Sequence, residues 1–170
     1  MAQVQITAGE VQARIEKGEQ AAAVFGITDD QVKAMMALGY NQYQQGRLDM
    51  AEKLFRGVAA LNTDSYLGYA GLGAVALARK PANLDVAYAC LSRAAELNPN
   101  DGSIQANLGE VLLRQGKVQE AKPHLEKAFQ LDPARKDPGV NRARGIVAGL
   151  DLIVTEAEKR QKAQAKSKSN

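Results

Sequence analysis

Few residues of this chain belong to the types that carry out covalent chemistry. The 170 residues include one histidine, His124, and one cysteine, Cys90. A catalytic Cys/His pair would require these two side chains to meet. An internal repeat places them on the second helices of neighbouring repeats, where we expect Cys90 to pack in the core and His124 to lie on the surface. The sequence therefore predicts no nucleophilic site.

The remaining candidates for chemistry also have structural explanations. Asp29, Asp30 and Asp49 fall in the first turns of predicted helices, where acidic side chains interact favourably with the helix dipole. The sequence contains no glycine-rich phosphate loop and no metal-ligand spacing. A single cysteine excludes an intrachain disulfide and a CxxC zinc site, and it fits a reducing compartment. We expect no enzymatic activity, no metal and no cofactor.

Composition indicates an ordinary soluble chain that is long enough for one core, with 45% hydrophobic and 24% charged residues. The net charge of +3 arises from five basic residues among the last twelve, and the rest of the chain sums to −2. This distribution predicts no basic face for nucleic acid. The N-terminal stretch lacks the pattern of a secretion signal, and no run of 18 apolar residues occurs. We therefore expect a cytoplasmic protein without membrane insertion.

One stretch of sequence recurs along the chain. "LGYNQYQQGRLDMAEKLF" from Leu38 is matched by "LGEVLLRQGKVQEAKPHL" from Leu108 and, more loosely, by "LGAVALARKPANLDVAYACL" from Leu72. The glycines of the Leu-Gly pairs are separated by 34 and then 36 residues. This pattern resembles the tetratricopeptide repeat, a helix-turn-helix of about 34 residues, over roughly residues 32 to 135.

The recurring small residues fall into two sets, one on each helix of a repeat. We expect the glycines to allow close approach of the two helices and the alanines to be the residues that they meet: Gly39, Gly73 and Gly109 against Ala51, Ala87 and Ala121. Gly46 and Gly116 are predicted to form the turns between helices. Pro99 and Pro133 are predicted to end second helices, because proline is excluded from helix interiors.

Segments on both sides of the repeats also have helical patterns. Thr28 and Gln31 predict a capping box at the start of the first repeat. Residues 9 to 25 predict an amphipathic helix with one apolar side, formed by Val11, Ile15, Ala22 and Phe25. Asp137 and Pro138 begin a predicted helix that caps the last repeat, since stacked repeats need closed ends.

These patterns predict an all-α protein, a tetratricopeptide-repeat superhelix of three helix-turn-helix units. Its parts are an N-terminal helical segment (residues 1–28), three repeats (29–135), a C-terminal capping helix (136–158) and a basic, disordered tail (159–170).

The tetratricopeptide resemblance implies a concave groove lined by the first helix of each repeat. Tyrosine walls and alanine floors would accept bulky aliphatic side chains from an extended peptide. The alternative is that these residues simply pack against neighbouring helices. The predicted peptide-binding residues are Met36, Tyr40, Tyr43, Gln44, Leu67, Ala70, Ala74, Leu77, Ala106, Glu110 and Leu113.

The same positions indicate what the groove does not bind. In members of the family that dock onto chaperones, a lysine and an asparagine grip the terminal carboxylate of the ligand. In this chain Met36 and Tyr40 hold those positions. A carboxylate clamp is therefore not expected.

A narrower resemblance covers essentially residues 15 to 155. "NQYQ" at Asn41–Gln44, "AEKLF" at Ala51–Phe55 and "GLGA" at Gly71–Ala74 are similar to the class II chaperones of type III secretion. The resemblance implies a protein that binds an extended segment of a secreted translocator and dimerises through its N-terminal helix. The alternative is a generic tetratricopeptide scaffold or adaptor that assembles folded partners.

Overall fold

Helices account for the regular structure of the residues that the computed structural model describes, 7–17 and 19–168. In chain order they are α1 (Ala8–Glu16), α2 (Ala21–Val24), α3 (Asp29–Gln44), α4 (Leu48–Leu61), α5 (Tyr66–Ala78), α6 (Leu84–Leu97), α7 (Gly102–Arg114), α8 (Val118–Leu131) and α9 (Pro138–Lys168). The predicted all-α repeat fold is confirmed. The chain divides into an N-terminal unit, Met1–Asn100, and a C-terminal unit, Asp101–Asn170.

The N-terminal unit contains the first two repeats, α3 with α4 and α5 with α6. The predicted capping box is present at the start of α3, because the Thr28 side chain accepts from the Gln31 N–H and the Gln31 side chain accepts in return. Gly46 makes the turn after α3 with φ +72°, a conformation that glycine adopts without steric cost.

The segment before the first repeat differs from the prediction of one helix over residues 9 to 25. It consists of α1 and the short α2, and Gln20 between them has extended backbone. The sequence between the two helices includes Gly18, and a glycine in a helix interior costs about 1 kcal/mol relative to alanine. Arg14 pairs with Glu19 across this interruption at 2.6 Å.

The core of the N-terminal unit is centred on Phe55, which is fully buried. A Cβ added at Gly39 of α3 would lie 2.7 Å from the Phe55 ring, and one added at Gly71 of α5 would lie 2.5 Å from it. The backbones of α3 and α5 therefore both approach the ring of this α4 residue. Neither helix has room there for any larger residue.

Larger side chains than the expected alanines lie nearest to the recurring glycines. The atoms nearest to an added Cβ belong to Phe55 at Gly39, to Leu91 at Gly73 and to Leu125 at Gly109, where the backbone oxygen of Ala121 follows at 3.5 Å. Each large residue lies one helical turn after the recurring alanine and therefore on the same helix face. The alanines are buried as well, but the glycines accommodate the bulky side chain of the following turn.

The C-terminal unit consists of the third repeat, α7 with α8, followed by α9. Gly116 makes its turn with φ +78°, as predicted. The helices α6 and α8 end before Pro99 and Pro133, also as predicted. The Asp137 side chain accepts from the Val140 N–H at 2.9 Å and so caps α9.

The junction between α8 and α9 is held by the carboxylate of Asp132. It accepts from the backbone N–H groups of Lys136 and Asp137 and from Arg144. Burial by itself raises the pKa of this carboxyl, but these hydrogen bonds together hold the pKa below its usual value. The folded junction therefore favours the charged carboxylate.

The helix α9 continues to Lys168, which differs from the expected disordered tail over residues 159 to 170. The sequence from Glu156 to Lys168 lacks glycine and proline and is rich in alanine, lysine, glutamine and glutamate, which favour helix. Residues 169 and 170 lie outside the described residues. Within the described part of the chain, no helix combines the length and the apolar character needed to cross a membrane.

Replacing Gly68 with alanine is expected to destabilise the N-terminal unit. A Cβ there would lie 2.6 Å from the backbone nitrogen of Ala59, an atom that cannot move aside like a flexible side chain. Overpacking of this kind costs about 1–3 kcal/mol, which exceeds the gain in helix propensity. Urea denaturation followed by circular dichroism measures the change.

Gly145→Ala is the matched control, because a Cβ at this helical glycine would meet nothing within 4 Å. We expect this variant to be as stable as the parent or more stable by up to about 1 kcal/mol. A Gly68→Ala variant with unchanged stability would contradict the close contact between α4 and α5.

Candidate functional site

The predicted groove residues of α3 differ in how much they are exposed. Tyr40 is 41% exposed, Gln44 is exposed, Tyr43 is half-buried and Met36 is buried. The Tyr40 ring meets the Phe55 ring edge-on, with centroids 5.3 Å apart and planes at 69°. Tyr40 is therefore held by the core on one side while much of its surface faces solvent.

The predicted residues of α5 form a shallower surface. Leu67, Ala70 and Ala74 are half-buried, whereas Leu77 is buried. Leu67 and Tyr43 both pack against the core cluster of the N-terminal unit, which consists of Met36, Ala51, Phe55, Val58 and Val75. These contacts match the alternative that part of the set packs against neighbouring helices, and they leave Tyr40, Tyr43, Leu67, Ala70 and Ala74 with accessible surface.

The predicted groove residues of the third repeat are in a different situation. Ala106 and Glu110 are buried and Leu113 is half-buried. The Glu110 carboxylate accepts from Arg114 at 2.6 Å and from Arg142 of α9 at 2.9 Å. Sequence reasoning missed this arrangement, because a glutamate at this position looks like a groove residue until the location of α9 is known.

Neither Cys90 nor His124 lies in an environment that favours nucleophilic chemistry. Cys90 is half-buried, and burial raises the pKa of its thiol, which disfavours the reactive thiolate. His124 is half-buried rather than on the surface, and its Nδ1 lies 2.8 Å from Gln105 Oε1. Burial, and then the nearby Lys127, lower the pKa of His124 and favour its neutral form. In the part of the chain described, no three His, Cys, Asp or Glu residues are grouped so as to hold a metal ion.

Asp49 has a second role besides its expected interaction with the helix dipole. Arg79 donates to Asp49 at 2.8 Å and to Glu52 at 2.6 Å, and Glu52 also pairs with Arg56. The hydrogen bond from Arg79, and then the one from Arg56, lower the pKa of Glu52. This network connects the end of α5 to the start of α4 and is structural.

An apolar cleft on α1 and α2 was not predicted as a site. It has a volume of about 610 Å³ and is lined by Ala8, Val11, Gln12, Ile15, Glu16 and Phe25. Ile15 is 47% exposed and Phe25 is 53% exposed. The sequence signal was the apolar side of residues 9 to 25, which the structure retains although the segment is split into two helices.

Gln20 connects this segment to the first repeat. Its side-chain oxygen accepts from the backbone N–H of Thr63, and its amide donates to Asp64 at 2.8 Å. Val24, which follows Gln20 in α2, is buried. The cleft therefore belongs to a segment that is anchored to the loop between α4 and α5.

Comparison with known proteins agrees with this architecture. Residues 103–135 match the family model of the tetratricopeptide repeat. "Low calcium response locus protein H" of Yersinia pestis is 29% identical over 105 residues, which are 62% of this chain and 61% of that protein. The match thus spans less than two thirds of the length of this curated relative.

Solved structures share the fold over most of the chain. The type III secretion translocator chaperone SycD of Yersinia enterocolitica has a TM-score of 0.63 and 25% identity, covering 78% of this chain and 98% of SycD. A second structure of SycD, described as an alternative dimer, has a TM-score of 0.62 and 26% identity over the same shares. PcrH in complex with the chaperone binding region of PopB has a TM-score of 0.60 and 26% identity, covering 71% of this chain and 97% of PcrH.

The fold is a tetratricopeptide-like stack of helical hairpins, and its third repeat matches the tetratricopeptide family model. The solved structures that share this fold include SycD, a translocator chaperone of type III secretion. The resemblance inferred from the "NQYQ", "AEKLF" and "GLGA" segments is confirmed.

The edge-on contact predicts energetic coupling between Tyr40 and Phe55. Aromatic pairs of this geometry contribute about 0.5–1.5 kcal/mol beyond their buried area. A double-mutant cycle in urea with Tyr40→Ala and Phe55→Leu should therefore give a coupling free energy of that size. Tyr40→Phe should retain the coupling, because the ring remains.

The control cycle combines Phe55→Leu with Tyr88→Ala on α6, and its effects should be additive. Additive effects in the Tyr40 cycle as well would show that the ring contact does not hold Tyr40 in position.

Proposed function

We propose that this protein is a cytoplasmic chaperone that binds an extended segment of a type III secretion translocator and keeps it soluble and competent for export. The observation that carries the proposal is the accessible face of the N-terminal unit, where Tyr40 and Tyr43 lie on α3 and Leu67, Ala70 and Ala74 lie on α5. The relatives support it, since PcrH is seen with a segment of the translocator PopB.

In the proposed mechanism the protein binds the translocator segment and catalyses no reaction. A translocator carries membrane-inserting segments, and exposed apolar surface of that kind promotes aggregation. A chaperone that covers an extended segment prevents premature association until export. An affinity of about −8 to −12 kcal/mol would allow both capture and release.

Each part of the face has a recognisable task in this proposal. The tyrosine rings offer rigid apolar area with few rotatable bonds, and their hydroxyl groups bind polar backbone of the partner. Ala70 and Ala74 leave room for bulky aliphatic side chains beside these rings. The exposed amide of Gln44 can donate to and accept from an extended backbone.

A catalytic role receives no support from this arrangement. SycD and PcrH are chaperones, and the raised pKa of the Cys90 thiol disfavours a thiolate nucleophile. We propose that the protein acts by binding alone, without a cofactor. A scaffold for folded partners is the competing function, and the identity of the partner distinguishes the two.

Purification from the native cytoplasm under mild conditions, followed by mass spectrometry, tests the proposal. The expected result is a stoichiometric partner that has one or two long apolar segments and an unfolded N-terminal region. Folded assembly subunits without such segments would instead support the scaffold function and overturn the chaperone proposal.

Tyr40→Ala and Tyr43→Ala should each weaken binding of that partner. Truncating an aromatic anchor costs about 1–3 kcal/mol, which corresponds to a loss of about 5- to 150-fold in affinity. Isothermal titration calorimetry with the segment of the co-purified partner measures the change, and circular dichroism checks that the variants stay helical. Tyr88→Ala on α6 serves as the control and should bind like the parent. Parent-like affinity for both groove variants would exclude this face as the binding site.

We also propose that the α1 cleft is the surface through which two copies of the chain associate. Apolar side chains as exposed as Ile15 and Phe25 are stabilised when a partner covers them. The matching segment of a second copy supplies complementary apolar side chains at an isologous interface.

Ile15→Glu should convert the dimer into single chains, because it places a charge in an apolar contact. Sedimentation equilibrium measures the mass per particle, and deletion of residues 1–25 should give the same result. Ala13→Glu is the matched control, since it adds the same charge to α1 at an exposed residue outside the cleft lining. A parent protein that already sediments as one chain would rule out this association.

A further inference from the structure

The helix α9 contacts the face of α7 that the repeat pattern assigns to ligand binding. Ser103 Oγ donates to the Asp137 carboxylate at the start of α9 at 2.5 Å. Arg142 of α9 donates to Asn107 at 2.6 Å and to Glu110 at 2.9 Å. Ser103, Asn107 and Glu110 follow one another at helical spacing and so share one face of α7.

This face differs from its counterpart in the first repeat. Glu110 stands at the repeat position that Tyr40 occupies in α3, and Ala106 stands at the position of Met36. Tyr40 is 41% exposed, whereas Glu110 is 2% exposed, and Met36 and Ala106 are both buried. The apolar residues Val140 and Ala143 on the same stretch of α9 are fully buried, and Val140 lies close to Gly102 of α7.

Electrostatics make Arg142 the central residue of this contact. A carboxylate as buried as Glu110 is costly unless it is paired. Arg114, one turn away on α7, satisfies one oxygen, and Arg142 satisfies the other. Arg142 is itself about half exposed, so it lies at the edge of the contact and can be changed without opening a core cavity.

We propose that α9 is an intramolecular occupant of the third repeat, with Arg142 as the residue that closes this face. The α7 face is then closed to the extended segment of the partner, which binds the accessible face of the N-terminal unit. This inference rests on the proposed chaperone function for its ligand. The occupancy of the α7 face by α9 does not depend on that function.

Thiol labelling at Ala106 tests the occupancy without any ligand. In a Cys90→Ser background, Ala106→Cys places one thiol at a buried residue of α7, on the face where Ser103 and Glu110 contact α9, and an aromatic disulfide reagent reports its reactivity by absorbance. With Arg142 present the thiol should react slowly. In Arg142→Ala it should react about tenfold faster or more, because local opening of α9 becomes easier.

Two controls separate this opening from unfolding. Ala121→Cys places a thiol at a fully buried residue of α8, and it should stay slow in both backgrounds. Arg93→Ala removes an exposed ion pair with Glu96 and should leave the Ala106→Cys rate unchanged. Equal rates with and without Arg142, or equal acceleration at residues 106 and 121, would overturn the proposal.

The complex purified from the cytoplasm is used to test whether the partner segment binds the N-terminal unit alone. If the partner segment binds the N-terminal unit alone, labelling at Ala106→Cys should stay within about twofold of the free protein. Strong acceleration or strong protection on binding would show that the segment displaces or covers α9 at the α7 face, and would contradict the closure of that face by α9. Failure to recover a translocator would instead count against the proposed function and leave the labelling result intact.

Discussion

The ring of Phe55 is the contact on which the N-terminal unit depends. It lies against the backbone of α3 at Gly39 and the backbone of α5 at Gly71, so one side chain sets the distance between three helices. The edge of Tyr40 then rests on the same ring. The buried Phe55 thereby fixes the position of the exposed Tyr40, so the accessible face is held rigidly by the core. Such preorganisation lowers the entropy that a binding partner must lose on association.

Charged pairs hold much of the C-terminal unit, beside its apolar packing. Glu110 is buried between Arg114 and Arg142, and Asp132 gathers Arg144 together with two backbone N–H groups. Charged pairs of this kind are specific in geometry, because a displaced partner leaves a buried charge unpaired. They therefore fix where α9 lies on α7 more strictly than apolar packing alone would. One repeat pattern thus carries an accessible face in the first repeat and a covered face in the third.

Local signals in the sequence predicted much of this fold. The 34-residue period, the Thr28–Gln31 capping box, the turns at Gly46 and Gly116 and the starts and ends of helices depend on a few adjacent residues. Tertiary contacts were not predictable in the same way. The periodicity could not show that Phe55 would lie nearest to Gly39, or that Arg142 would reach Glu110 from 32 residues away. The groove positions taken from the repeat therefore include accessible side chains in α3, Tyr40 and Tyr43, and buried ones in α7, Ala106 and Glu110.

The small residues of α5 connect the fold to its proposed use. Gly68 and Gly71 bring the α5 backbone against α4, and this close approach leaves Ala70 and Ala74 as a shallow surface without mobile side chains. Binding energy must then come from a few tyrosine and leucine side chains rather than from a deep pocket. An interface of that kind can hold an extended segment and still release it. Its affinity depends on a small number of contacts, which are all lost when the segment dissociates. Close backbone packing in the core thus has a direct consequence for how tightly the surface can bind.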